Sequence, residues 1–142
     1  MSNYTLADIY EIIHNSAIHK VGVNSVYDTE PYSVWNSSEI KYGSVCIFID
    51  TLTSTIHSRQ YNINLYYGDR LTETDDNLFQ VQNTAIEVIT DIIKDLEGIE
   101  GIDIVEQSTI NLFKQKFMDR VGGAYTTISL WCGYDSCNQL DK

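Results

Sequence analysis

Hydrophobic positions recur along this chain at two different periods, and the switches between them mark out its elements. Leu6, Ile9, Ile12, Ile13 and Ala17 fall on one face at helical spacing, while Tyr10, Glu11 and Asn15 lie off it. Thr5 stands where an N-cap belongs, and Asp8 three residues on closes a capping box. This helix is expected to end near Lys20, with Gly22 as its stop. A second stripe is longer and stricter: Leu78, Val81, Ala85, Val88, Ile89, Ile92, Ile93 and Leu96. Asp75, Asp76 and Asn77 precede it as caps suited to the positive end of a helix dipole, and Gly98 follows as its end.

Between and after the helices the period falls to two. Glu39 to Asp50 is a β-branched and aromatic run. From Gln60 to Tyr67 the chain alternates, with Tyr61, Ile63, Leu65 and Tyr67 on one face and Asn62, Asn64 and Tyr66 on the other. Such alternation belongs to an antiparallel sheet covered on one side. Thr51 to Arg59, rich in Thr and Ser, is expected to be a long hairpin loop. Val23 to Ser38, polar and aromatic, is expected to hold a short strand and then a long loop of the kind that is often functional. The last third predicts strands at Ile102–Val105, Ile110–Phe117 and Ala124–Trp131, with a tight turn at Asp119–Gly123. The expected fold is α+β: an antiparallel sheet with two helices packed on one face. It forms a single domain over 1–142, with a core at about 5–132 and a polar C-terminal tail over 133–142.

Composition narrows the function. The 142 residues carry a net charge of −11, which argues against gripping nucleic acid or an anionic membrane surface. It is compatible with letting DNA pass, since attraction would make DNA stick. The N-terminal residues lack the pattern of a secretory signal, and the apolar run Val45–Ile49 is too short to span a bilayer, so a soluble cytoplasmic product is expected. The three cysteines, Cys46, Cys132 and Cys137, are expected to be free thiols, although Cys132 and Cys137 are close enough for a loop disulfide.

Candidate chemistry is sparse. His14 and His19 lie about 140° apart around a helix and do not face one another, and His57 sits in a loop. Asp75–Asp76 is a helix start, and Asp91 with Asp95 is a solvated helix face beside Lys94. Gly122–Gly123 is followed by a Thr-rich strand, where a phosphate cradle would need a helix start. The expectation is a non-enzyme with no catalytic residue, no cofactor and no metal. Tyrosine is the compositional oddity, at 10 residues, and it suits interfaces because an apolar ring carries a polar tip. Tyr27, Tyr32, Trp35, Tyr61, Tyr66 and Tyr67 are the candidate interface residues.

The order of elements resembles the tail-terminator or tail-completion family of tailed bacteriophages, with the neck ring proteins of crAss-like phages as similar examples. The residues that carry the resemblance are Tyr61–Leu71, a strand leading to the loop before the second helix, and Phe117–Tyr125, a strand-turn-strand that closes the sheet. It covers Leu6 to Trp131. The resemblance implies a structural virion protein, assembled in the host cytoplasm. It implies a hexameric or dodecameric ring that joins portal to tail and lines the DNA path, contacting other neck, portal or tail proteins. It also implies that the 51–59 loop reaches toward a neighbour or the lumen. The alternative is a soluble α+β ligand- or peptide-binding module, with Asn62, Asn64 and Tyr66 lining a pocket.

Overall fold

The computed structural model describes residues 4–31, 35, 42–116 and 120–133. It is an α+β fold: α1 (Leu6–Ile18), β1 (Ser25–Tyr27), β2 (Ser44–Ser54), β3 (Ser58–Arg70), α2 (Leu78–Glu97), β4 (Ile102–Gln107), β5 (Asn111–Lys116) and β6 (Arg120–Gly133). The strands form one six-stranded sheet in the order β1-β2-β3-β6-β4, with β5 also on β6. β6 is the long central strand. β3 pairs along one of its edges, while β4 and β5 share the other end to end.

The sheet is mixed rather than wholly antiparallel, because β1 runs parallel to β2, with Ser25 opposite Ser44 and Tyr27 opposite Cys46. A parallel neighbour needs a crossover connection instead of a tight turn, and residues 28–43 supply its length. Both helices do pack on one face. Ile9, Ile13 and Ala17 of α1 and the whole Val81–Leu96 stripe of α2 close over Val45, Ile47, Tyr61, Ile63, Leu65, Tyr67, Ala124, Ile128 and Leu130.

The helix ends differ in how they are made. In α1 the capping box is present: Asp8 N–H donates to Thr5 Oγ1 at 3.2 Å, and Thr5 N–H donates to Asp8 Oδ2 at 2.9 Å. In α2 the expected cap is replaced by a clasp. Asn77 makes no side-chain cap bond; its Oδ1 accepts from Thr72 N–H at 3.0 Å and its Nδ2 donates to Arg70 O at 3.1 Å. The amide thus ties the incoming loop instead of the helix. Gly98 ends α2 with right-handed φ of −85°, so no left-handed cap is used there. Gly101, at φ +86°, makes the turn into β4.

Two expected turns are strand instead. The 51–59 loop shrinks to residues 55–57, because Thr51, Leu52, Thr53 and Ser54 pair with Asn62, Tyr61, Gln60 and Arg59 after a bulge between Ile49 and Thr51. Thr is comfortable in a strand, and Thr55 closes the turn by donating its N–H to Ser58 O at 2.8 Å. Gly122 and Gly123 lie inside β6 and not at a turn. A Cβ on Gly123 would stand 1.8 Å from the carbonyl oxygen of Tyr67 across the ladder, so Gly123 serves close strand approach, while Gly122 leaves room for the Leu71 and Leu78 side chains. The expected turn residue Asp119 lies outside the described residues.

Candidate functional site

The helix-free face of the sheet carries two zones. One is a hydroxyl–amide ladder across three strands. Asn62 Nδ2 donates to Thr51 Oγ1 at 2.6 Å, Ser129 Oγ donates to Asn62 Oδ1 at 2.8 Å, and Thr127 Oγ1 donates to Asn64 Oδ1 at 2.8 Å. Asn64 Nδ2 donates to Phe48 O at 3.1 Å. These amides spend their hydrogen bonds within the sheet. The other zone is aromatic. Tyr66 stacks on Tyr125 with ring centres 5.0 Å apart, and Phe113 lies 5.5 Å from Trp35. Trp35 is buried against Cys46 and Val121, and its Nε1 donates to Ser44 Oγ at 2.7 Å.

The candidate interface aromatics divide accordingly. Tyr61, Tyr67 and Trp35 are fully buried, the first two in the core under the helices, and so present no surface. Their alternation with polar neighbours places them on the covered face. Tyr67 donates its hydroxyl to Gly22 O at 2.8 Å, and burial holds its phenol above the ordinary range. Tyr27 and Tyr66 are partly exposed at the rim of the Trp35 cluster. Tyr32 lies outside the described residues.

Among the described residues no group of three or more His, Cys, Asp or Glu stands close enough to hold a metal ion. His14 Nδ1 lies 3.8 Å from Asp28, and His57 is exposed in the β2–β3 turn. Cys46 and Cys132 are buried free thiols, the first pushed up to about 12 by burial. Cys137 lies outside the described residues. Asp95 does not pair with Asp91. It accepts from Lys20 Nζ, just beyond α1, and from Ser16 Oγ of α1 at 2.7 Å, and these contacts hold its carboxyl below the usual carboxylate range. Asp75 is the strained member, at φ +60°, with its Oδ2 bridging Lys114 Nζ at 3.2 Å and Arg120 Nη2 at 2.5 Å. Its Oδ1 is buried without a hydrogen-bond partner.

A polar recess of about 360 Å³ opens between the start of α2 and the 22–24 turn, lined in part by Asn24, Asp69, Gln80 and Thr84. Burial pushes the Asp69 carboxyl up, although the N–H groups of Arg70 and Gly43 oppose the shift.

Sequence reasoning passed over an exposed apolar surface beside α2 and β5. Phe79 is 83% exposed, Leu112 52%, and Ile86 is also exposed. Gln82 Nε2 donates to Phe113 O at 3.2 Å, which sets this side of α2 against β5. Phe79 and Ile86 are three before and four after Gln82, hence its neighbours on the helix surface. Leu112 is paired with Ala124, whose side chain faces the helix layer, so Leu112 points to the same side. The three form an apolar strip beside a strand edge that pairs, among the described residues, with β6 alone. The signal was present in the sequence: two large apolar residues seven apart, both off the buried stripe of α2.

Among the described residues no helix is long and apolar enough to cross a membrane. No protein-family model matches this chain, and no curated protein matches it.

Proposed function

We propose that this protein is a non-enzymatic structural subunit of a homo-oligomeric ring in the neck or tail of a tailed bacteriophage. In this reading it stacks against portal, neck or tail proteins and lines the DNA path. The observation that carries the reading is the apolar strip of Phe79, Ile86 and Leu112 beside a strand that pairs, among the described residues, on one edge only. An edge strand with exposed apolar side chains is a liability in a monomer and a template for association. The resemblance in element order to the tail-terminator family gives the kind of assembly. The charge of −11 suits a wall past which DNA must slide without sticking.

The test is light scattering after size exclusion, with negative-stain images of the same fraction. Annular hexamers or dodecamers with a central hole support the ring. A 16.2 kDa monomer at every concentration, which also fails to add to particles stalled at the head–tail joining step, overturns it.

A further inference from the structure

Among the described residues three acids are partly buried: Asp8, Asp69 and Asp75. Asp8 closes the capping box of α1, and Asp75 holds Lys114 and Arg120. Asp69 has no such role, and among the described residues no Lys, Arg or His forms an ion pair with it. Its Oδ1 accepts from the Arg70 N–H at 2.8 Å, and the Gly43 N–H also donates to its carboxyl. The alternation of β3 explains the missing cation. Asp69 falls on the helix-covered face with Tyr67, whereas Arg70 falls on the other face, where its guanidinium sits 4.7 Å over the Tyr42 ring.

This residue lines the recess of about 360 Å³ between the start of α2 and the 22–24 turn. Pockets for small molecules begin at about 300 Å³, so there is room for one small ligand. The walls have spent their donors elsewhere. Tyr67 gives its hydroxyl to Gly22 O, Asn24 gives Nδ2 to Tyr42 O at 2.9 Å, and Asn77 gives Nδ2 to Arg70 O. Acceptors remain, the Asp69 carboxylate and Asn24 Oδ1, with Gln80 and Thr84 able to donate or accept. None of the described lining residues is Lys, Arg or His. A ligand that brings N–H donors and positive charge matches this set, whereas an anion would meet a carboxylate. A divalent metal matches it less well, because it takes about six or more oxygen ligands and a single carboxylate lines the recess.

We infer that this recess binds a small organic amine in its ammonium form, with the N–H groups on Asp69 and Asn24 and the stem along the Tyr67 ring and Val81. The site is independent of the ring reading, since it needs no second copy of the chain and shares no residue with the apolar strip. A bound cation offsets the desolvation that pushes the Asp69 carboxyl up, so binding and ionisation of Asp69 favour one another.

The test is an amide NMR titration with butylammonium at neutral pH and about 0.15 M salt, where diffuse attraction to a chain of charge −11 is screened. Saturable shifts are expected at Asn24, Asp69, Gln80 and Thr84, with a dissociation constant of about 1 mM, within reach of so small a ligand. Butyltrimethylammonium keeps the charge and the stem but has no N–H, and should bind about tenfold more weakly or worse. Asp69→Asn keeps the side-chain shape and should abolish saturable binding. Glu97→Gln removes the same charge from an exposed position about 20 Å beyond Thr84 along α2, and should leave binding unchanged. Shifts that spread over the acidic surface without saturating, or equal losses in the two variants, overturn the site as plain counter-ion attraction. Equal affinity for the two probes overturns recognition of the N–H groups, and the absence of shifts well above 1 mM overturns the site outright. Should Asp69→Asn fail to fold, the two probes on the wild type decide the matter without it.

Discussion

At the residue scale, the tightest constraint is where Trp35 meets Gly68. A Cβ on Gly68 would stand 2.4 Å from the indole ring and 2.8 Å from Val121. Trp35 is also held by Ser44, so it cannot simply swing away. Gly68→Ala should cost about 1–3 kcal/mol through overpacking. The check is a urea titration in a Trp131→Phe background, where Trp35 is the remaining indole and its emission should shift to the red. An unchanged midpoint and emission would mean that Trp35 does not lie on Gly68. Gly122–Gly123 teaches the same lesson. As letters they read as a turn, yet inside β6 Gly123 is used for backbone approach to Tyr67 and Gly122 for packing of Leu71 and Leu78, and only those distant neighbours reveal the need.

At the scale of elements, the start of α2 shows how tertiary contacts displace a local rule. Three residues with good capping chemistry precede the helix, but Asn77 turns back to the loop and Asp75 reaches across to β5 and β6. Asp75 adopts φ +60°, a conformation that costs a non-glycine residue about 1–2 kcal/mol. Asp75→Gly and Asp75→Ala both lose the ion pairs, but glycine alone relieves the strain. Allowing for the extra chain entropy of glycine in the unfolded state, the Gly variant should be about 0.5–1 kcal/mol more stable than the Ala variant by denaturant unfolding. Equal stabilities would place Asp75 in an ordinary backbone region. α1 shows the opposite case. Its capping box forms as the sequence alone predicts, because every partner lies within three residues.

At the scale of the whole molecule, the two helices are tied by Asp95 with Lys20 and Ser16. The Lys20 ammonium and the Ser16 hydroxyl hold the Asp95 carboxyl below its usual range, so the folded state binds that proton more weakly than the unfolded chain. The stability this contributes is present above the unfolded carboxylate pKa of about 3.9 and is lost as pH falls through the folded value. Lys20→Met should therefore lower the urea midpoint at pH 6 and converge with the wild type in strong acid. A gap that stays constant down to the acid limit would assign the loss to packing of the Lys20 stem instead. Asp69 has the opposite slope, since burial raises its carboxyl, and it favours the fold more in acid than at neutral pH.

Periodicity alone determined the two helices, the covered face of β3 and the α+β class. Burial of a stripe at period 3.6 or 2 is a property of consecutive residues, so Ile9, Ile13, Val88 and Ile92 reach the core as their spacing demands. The net charge was likewise legible, being a plain count. What only the tertiary structure decided depends on residues far apart in the chain. The parallel pairing of β1 needed the sheet order. Trp35 proved to be an interior residue, because an aromatic ring's place is set by what packs over it and not by its amphipathic character, whereas Tyr61 and Tyr67 went to the covered face that their alternation marks.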